Sequence, residues 1–304
     1  WQSWSGQLYG EFAALELQQL RRYLDPGALQ ALELQRGQGA LRLWADWKRG
    51  QWTGFTSDLA LRRLALRLGP ELQPLALEEL GGRIELQRSG DTLELATHDL
   101  AFHTDQGTAW AGGNLRYRQT LDRQGAPESV QLQGDRLDLK ALRQLARHLP
   151  LPPASHDWLN RLEPAGLIER LELQWRASSK SAPGLWQARG RLSGLELQPG
   201  PDAAGGIGRP GLQGASLDFD ASQAGGQATL QLNRGRLDFP GVFEQPRLDF
   251  DELRAELKWT VTGDSIQVEV PQLRFANADA EGQARGRWQT SDPARGESGR
   301  RFPG

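Results

Sequence analysis

Between Pro210 and Phe275 apolar and polar residues alternate almost without interruption. The apolar beats are Leu217/Phe219, Leu230/Leu232, Leu237/Phe239, Leu248/Phe250, Leu257/Trp259/Val261, Ile266/Val268/Val270 and Leu273/Phe275. Successive side chains of an extended backbone leave on opposite faces, so a period of two predicts strands that are apolar on one side and wet on the other. Turn residues at Gly214, Gly225-Gly226, Gly235, Pro240-Gly241 and Gly263 leave only short connections. Short connections imply antiparallel pairing, because a parallel crossover needs a dozen or more residues.

The same grammar governs the rest of the chain. Gln7–Leu17 reads as a strand passing into a helical turn through Leu17, Leu20, Tyr23 and Leu24, which Asp25-Pro26-Gly27 stops. Alternating runs follow at Leu32/Leu34, Leu41/Leu43, Phe55 through Leu61, Leu64/Leu66/Leu68, Leu75/Leu77, Ile84/Leu86, Leu93/Leu95, Leu115/Tyr117 and Val130/Leu132. Glycines punctuate them, which suggests about ten strands before the first clear helix. That helix, Asp138 to Leu149, places Leu139, Leu142, Leu145, Ala146 and Leu149 on one face. Its entry, Gln131-Leu-Gln-Gly134 leading to Leu137-Asp-Leu139, echoes Gln7-Leu-Tyr-Gly10 leading to Leu15-Glu-Leu17, a weak internal repeat. Pro150, Pro152 and Pro153 form a stiff joint, and Ser155 is placed to cap a short helix through Leu162. Strands resume at Ile168–Trp175, Leu185–Leu192 and Leu195/Leu197; Pro199–Gly211 reads as a loop, and the text after Trp288 as loop or disorder. The expected fold is mainly β: a long curled antiparallel sheet forming an open groove, with a few short helices. Its expected divisions are an N-terminal β-groove segment over 1–136, a helical joint over 137–165, and a second β-groove segment over 166–304 continuous with the first.

Composition narrows the function classes. The 36 basic and 38 acidic residues leave a net charge of -2, so there is no electrostatic case for a nucleic-acid partner. No run of 18 apolar residues occurs and no signal segment opens the chain, so this stretch carries neither a spanning helix nor an export address. Zero Cys removes disulfides and thiolate metal sites, and fits an oxidising compartment. Zero Met, even at position 1, and ends resembling interrupted strands point to a piece of a longer protein.

The residues offer no catalytic constellation, and the expectation is that the chain is not an enzyme and holds no cofactor. Gly206-Ile-Gly208-Arg-Pro-Gly211 spells a dinucleotide loop, but no strand leads in and Pro210 stands where a helix should run. His98 and His103, five apart, fall on opposite faces of a regular strand, the wrong arrangement for a shared metal. Asp218/Asp220 and Asp249/Asp251 sit on the polar beat of strands, where charge is expected without acid–base work. The 11 Trp serve either as large filler in sheets or as rings at the rim of an apolar groove.

An apolar sheet face must be covered. Either two sheets stack and fill the space with side chains, or one sheet curls into a trough that holds something apolar from outside. Few helices, heavy use of Leu in L-x-L pairs and the missing chemistry favour the trough. The readings are therefore a lipid-binding groove or, alternatively, a structural or regulatory module with a self-packed β core.

Several segments carry a resemblance: Leu149-Pro-Leu-Pro-Pro153, Trp158-Leu-Asn-Arg-Leu-Glu-Pro164 through Trp175, Arg209-Pro-Gly-Leu-Gln-Gly-Ala215, Phe239-Pro-Gly-Val-Phe-Glu-Gln-Pro246, Leu257-Lys-Trp259 and Arg274-Phe-Ala-Asn-Ala-Asp279. Together they resemble the YhdP family of AsmA-like envelope proteins of Gram-negative bacteria, which is similar to the wider group of bridge-like lipid carriers that includes TamB-type proteins. The resemblance covers nearly the whole chain and rests on turn and strand motifs. It implies a periplasmic body anchored to the inner membrane by a segment not present here, and an apolar β-groove carrying phospholipids between inner and outer membranes. It offers no catalytic residue and leaves protein partners unknown. On this reading the acyl chains run along Leu217, Phe219, Leu230, Leu232, Leu237, Phe239, Leu257, Trp259, Val268 and Phe275, with headgroups at the open edge.

Overall fold

In the computed structural model, which describes residues 5–20, 33–149, 151, 153–178, 184–200, 208–263 and 265–290, the alternating runs are strands throughout. The chain divides into two compact units, Trp1–Arg161 and Leu162–Gly304. In the first, β1 (Ser5–Glu16), β2 (Glu33–Lys48), β3 (Gln51–Arg67), β4 (Leu75–Ser89), β5 (Thr92–Thr104), β7 (Asn114–Leu121) and β8 (Pro127–Asp138) pair antiparallel in that order, with the short β6 (Ala109–Trp110) on β5. In the second, β9 (Ala165–Arg176), β10 (Leu185–Leu197), β11 (Gly211–Ser222), β12 (Gly225–Asp238), β13 (Arg247–Thr262), β14 (Ser265–Ala276) and β15 (Glu281–Gln289) do the same. Each unit is thus a curled antiparallel sheet whose strands pair with their sequence neighbours, and neither closes into a barrel among the described residues.

Among the described residues the strands are longer and fewer than the alternation suggests: eight, not about ten, precede the helix that follows Asp138. Phe55–Leu61 and Leu64–Leu68, read separately in the sequence, lie within the single strand β3 apart from Leu68, and Leu185–Leu192 joins Leu195/Leu197 in β10. The cause is a residue in the left-handed region inside the strand: Arg63 (φ 51), Asp99 (φ 46), Arg136 (φ 51), Gly194 (φ 57), Gly214 (φ 79) and Arg234 (φ 54). One left-handed residue adds a bulge, so two consecutive side chains point the same way and the apolar beat changes parity. Gly214 and Gly235, expected as turns, therefore sit inside β11 and β12. Across β12 and β13 the register is unbroken from Leu232↔Leu253 to Gly235↔Phe250 and Leu237↔Leu248, so both strands change beat together and the apolar face continues.

On the opposite face polar and charged residues face each other, and one row in each unit runs largely in alternating sign. In the first unit Glu11, Arg42, Asp58, Arg83 and His98 are successive partners across β1 to β5. Arg42 Nε meets Glu11 Oε1 at 3.1 Å, and Arg83 Nε meets Asp58 Oδ1 at 2.6 Å. In the second unit Glu172, Arg189, Asp220, Gln227, Lys258, Glu269 and Arg287 form one row across β9 to β15. Exposed pairs of this kind each contribute well under about 1 kcal/mol, but a one-residue slip would set every one of them against the apolar face.

Helices are few. α1 (Leu17–Leu20) continues β1; the residues expected to extend it, Tyr23 and Leu24, lie outside the described residues. α2 (Leu139–Leu145) begins at Asp138, whose carboxylate accepts the Ala141 N–H at 2.8 Å, and passes into a 3-10 turn over Ala146–His148. α3 (Pro153–Leu162) starts at a proline, which suits a first helical position, so Ser155 lies inside it and not at its cap. Leu17 of α1 and Leu145 of α2 pack with Leu61, Leu64, Leu75, Leu77 and Phe102, sealing one end of the first unit's apolar face.

Two outcomes follow for stability. Leu232 is 0% exposed, so Leu232→Ala costs about 2–5 kcal/mol in urea unfolding, whereas Leu257→Ala at a half-exposed position costs much less. The hydrogen bond from Arg83 holds the Asp58 carboxyl below its ordinary 3.8. A depressed folded-state value means stability present above the ordinary value and lost as pH falls through it. The urea midpoint therefore drops as pH falls from above the ordinary carboxylate value through the lowered folded-state one, and less steeply in Asp58→Asn.

Candidate functional site

The feature with functional potential is the apolar face of each unit. In the second unit Leu173, Ala188, Ala221, Gly226, Trp259, Val268 and Trp288 are successive ladder partners across β9 to β15. A parallel row joins Ile168, Leu192, Leu217, Leu230, Ala255, Leu273 and Ala284. Between them run Leu171, Gly190, Phe219, Ala228 and Leu257. No charged side chain interrupts these rows. In the first unit Leu8, Ala45, Phe55, Leu86, Leu95, Tyr117 and Leu132 make an equivalent row across β1 to β8. Burial pushes the Tyr117 phenol up, as apolar surroundings should.

These faces are not a sealed core. Leu217, Phe219, Leu230, Leu257, Trp259, Val268 and Phe275 are all half-buried, and Leu8, Phe55, Trp186, Ile266 and Trp288 are exposed. A soluble sheet normally covers such residues with a second layer. Among the described residues of the first unit, α1 and α2 do so at one end.

The ladder brings the sequence-predicted lining residues together, with two qualifications. Leu217, Phe219, Leu230, Leu257, Trp259, Val268 and Phe275 share the face in register, and Leu237 rejoins it through the bulge at Arg234. Leu232 is on the same face but fully buried between Ala215 and Leu253, so it offers no surface and belongs to the packing. Phe239 lies just past β12, where its ring meets Phe243 edge-on at 5.9 Å. The sequence reading passed over the small residues Ala188, Gly190, Ala221, Gly226 and Ala228, which carry no hydrophobic signal of their own. It also passed over Leu171, Leu173, Ile168 and Leu192, which the same alternation could have found.

The tryptophans divide between the two faces. Trp175 and Trp186 pair across β9 and β10 and, with Trp259 and Trp288, mark one border of the second unit's apolar face. Trp44 lies on the charged face beneath the Arg83 guanidinium, 5.9 Å from the ring centroid. Trp1 and Trp4 lie outside the described residues.

The charged face holds the remaining sequence candidates. His98 and His103 share it, against the expectation of opposite faces, because left-handed Asp99 between them reverses the beat: they pair with Arg83 and Glu79 while Phe102 turns to the core. His98 Nε2 lies 3.4 Å from Glu85 Oε1. Asp218 lies 3.6 Å from Arg191 and Asp249 2.6 Å from Arg236, so both are ion-paired ladder carboxylates. Among the described residues no group of three or more His, Asp or Glu is placed to hold a metal ion. Of the glycine-rich stretch, residues 201–207 lie outside the described residues; Arg209 bridges to Gly200, and Gly211 opens β11 with no helix between. No described helix is long and apolar enough to cross a membrane.

No curated protein and no solved structure matches the chain. A protein-family model described as YhdP protein matches residues 1–299, nearly the full length, and the chain therefore belongs to the YhdP family.

Proposed function

We propose that this chain is a passive lipid-carrying surface of the Gram-negative envelope: phospholipid acyl chains lie along the apolar face and move between inner and outer membranes without covalent chemistry. The observation that carries the reading is the unbroken, half-exposed apolar face crossing β9 to β15. Each methylene transferred from water to such a surface gains about 0.8 kcal/mol, so a pair of acyl chains has ample reason to occupy it. Family membership supports the envelope setting. On this reading the chain is periplasmic, tethered to the inner membrane by a segment outside it, and reaches both membranes through parts outside it. The near-neutral charged face, with its alternating ladder, does not select one headgroup over another.

A second reading has an observation of its own. The helix-sealed cluster around Leu64 and Leu145 is an ordinary packed core, and a structural or regulatory envelope module would need no more.

Purification of the full 304-residue chain from a Gram-negative host without detergent, followed by lipid extraction and mass spectrometry, separates the two. The carrier reading expects phospholipid in at least stoichiometric amount, and its loss in the double variant Leu257→Asp/Val268→Asp with circular dichroism unchanged. Leu232 is unsuitable for this purpose, because a charge at a fully buried site unfolds the sheet. A stable wild-type protein free of lipid would sink the carrier reading and leave the packed module.

A further inference from the structure

Four aromatic rings on the second unit's apolar face have a glycine as direct ladder partner: Phe250 opposite Gly235, and three whose rings lie against the glycine itself, Phe219 opposite Gly190, Trp259 opposite Gly226 and Phe275 opposite Gly282. A Cβ on the last three glycines would stand 2.9, 2.6 and 2.9 Å from the nearest ring atom, so each ring lies folded over the neighbouring strand where a side chain would otherwise begin. Flat rings over glycine are a recognised way to cover bare backbone in a sheet. Here they have a second consequence, because a ring lying down leaves the space above the face clear.

The three positions are not equivalent. At Gly190 and Gly226 the added atom would also meet backbone oxygen, Arg170 O at 2.6 Å and Asp220 O at 2.4 Å, so strand spacing alone requires glycine. At Gly282 the three nearest atoms all belong to the Phe275 ring, and no backbone atom comes closer than they do. Its φ is not in the left-handed region, so the backbone makes no demand for glycine there. The ring is the reason. On its other side Phe275 abuts Phe250, edge-on at 6.1 Å between centroids, and Phe250 is itself buried. A methyl group at 282 therefore leaves the Phe275 ring one way to go, outward from the sheet into the space above it.

We propose that Gly282 is a seat that holds Phe275 flat, and that bulk at this position sets how much acyl chain of a phospholipid the face accepts. This rests on the carrier reading. The test compares wild type, Gly282→Val and Gly282→Val/Phe275→Leu after incubation with vesicles of phosphatidylethanolamine and phosphatidylglycerol. Retained phospholipid per protein is measured by mass spectrometry, with thermal unfolding followed in parallel. The seat predicts at least a twofold loss of lipid in Gly282→Val and recovery toward wild type in the double variant, whose smaller side chain no longer stands up. Gly282→Ala, which adds only the methyl group, should lose less than Val and keeps the test available if Val loosens the fold. Undiminished lipid in both Gly282 variants, or no recovery in a double variant that melts like wild type, would overturn the seat. A wild type that takes up no lipid would instead defeat the carrier reading, so the two failures are distinct.

Discussion

Alternation is the constraint on which this molecule depends. An extended chain sends neighbouring side chains to opposite faces, and here each face has its own rule: aliphatic, aromatic or small on one, polar and largely charged, with a row of alternating sign in each unit, on the other. Neither rule would fix the fold alone. A hydrophobic ladder of leucines tolerates sliding by two residues, since leucine meets leucine again. The charged row resists that slip, because Glu172, Arg189 and Asp220 alternate in sign across the strands and a displaced strand meets different charge. The apolar face resists slips by one, and together they leave a single register.

The left-handed residues show how the two rules survive in long strands. A strand as long as β3, with 17 residues, or β12, with 14, twists and coils too far to keep one face on one side. A residue such as Arg63 or Arg234 resets the phase by one and bends the sheet, so the apolar side chains beyond it return to the same surface. An arginine at φ near 50° is strained relative to glycine, yet it keeps a charge on the wet face, which glycine would not.

Much of this was legible in the sequence. The period of two, the antiparallel order, the short helix after Asp138 and the sharing of a face by Leu217, Phe219, Leu257 and Trp259 all follow from side-chain geometry and turn chemistry. What escaped has one physical origin. A left-handed arginine or aspartate leaves no mark in a pattern of letters, and a left-handed glycine inside a strand such as Gly194 looks like a turn, so β3 and β10 read as two runs each and His98 and His103 fall on opposite faces. Burial depth escaped as well: Leu230 and Leu232 are indistinguishable by alternation, but only the second is pressed between Ala215 and Leu253 beside a bulge. The small residues of the face were invisible because glycine and alanine mark surface, turn and floor alike.

Within each unit, leaving aside the two-residue β6 that pairs with β5, every strand pairs only with the strands before and after it in sequence. Such a sheet is a one-dimensional object: its stability is a sum of neighbour terms, and there is no central layer whose loss brings down the whole. Most of these connections are short, so a chain of this kind can assemble largely hairpin by hairpin as it emerges, without waiting for a distant partner. The same connectivity lets the outermost strand fray while the interior stays intact, and lets a sheet gain or lose a hairpin over evolutionary time with damage confined to one seam.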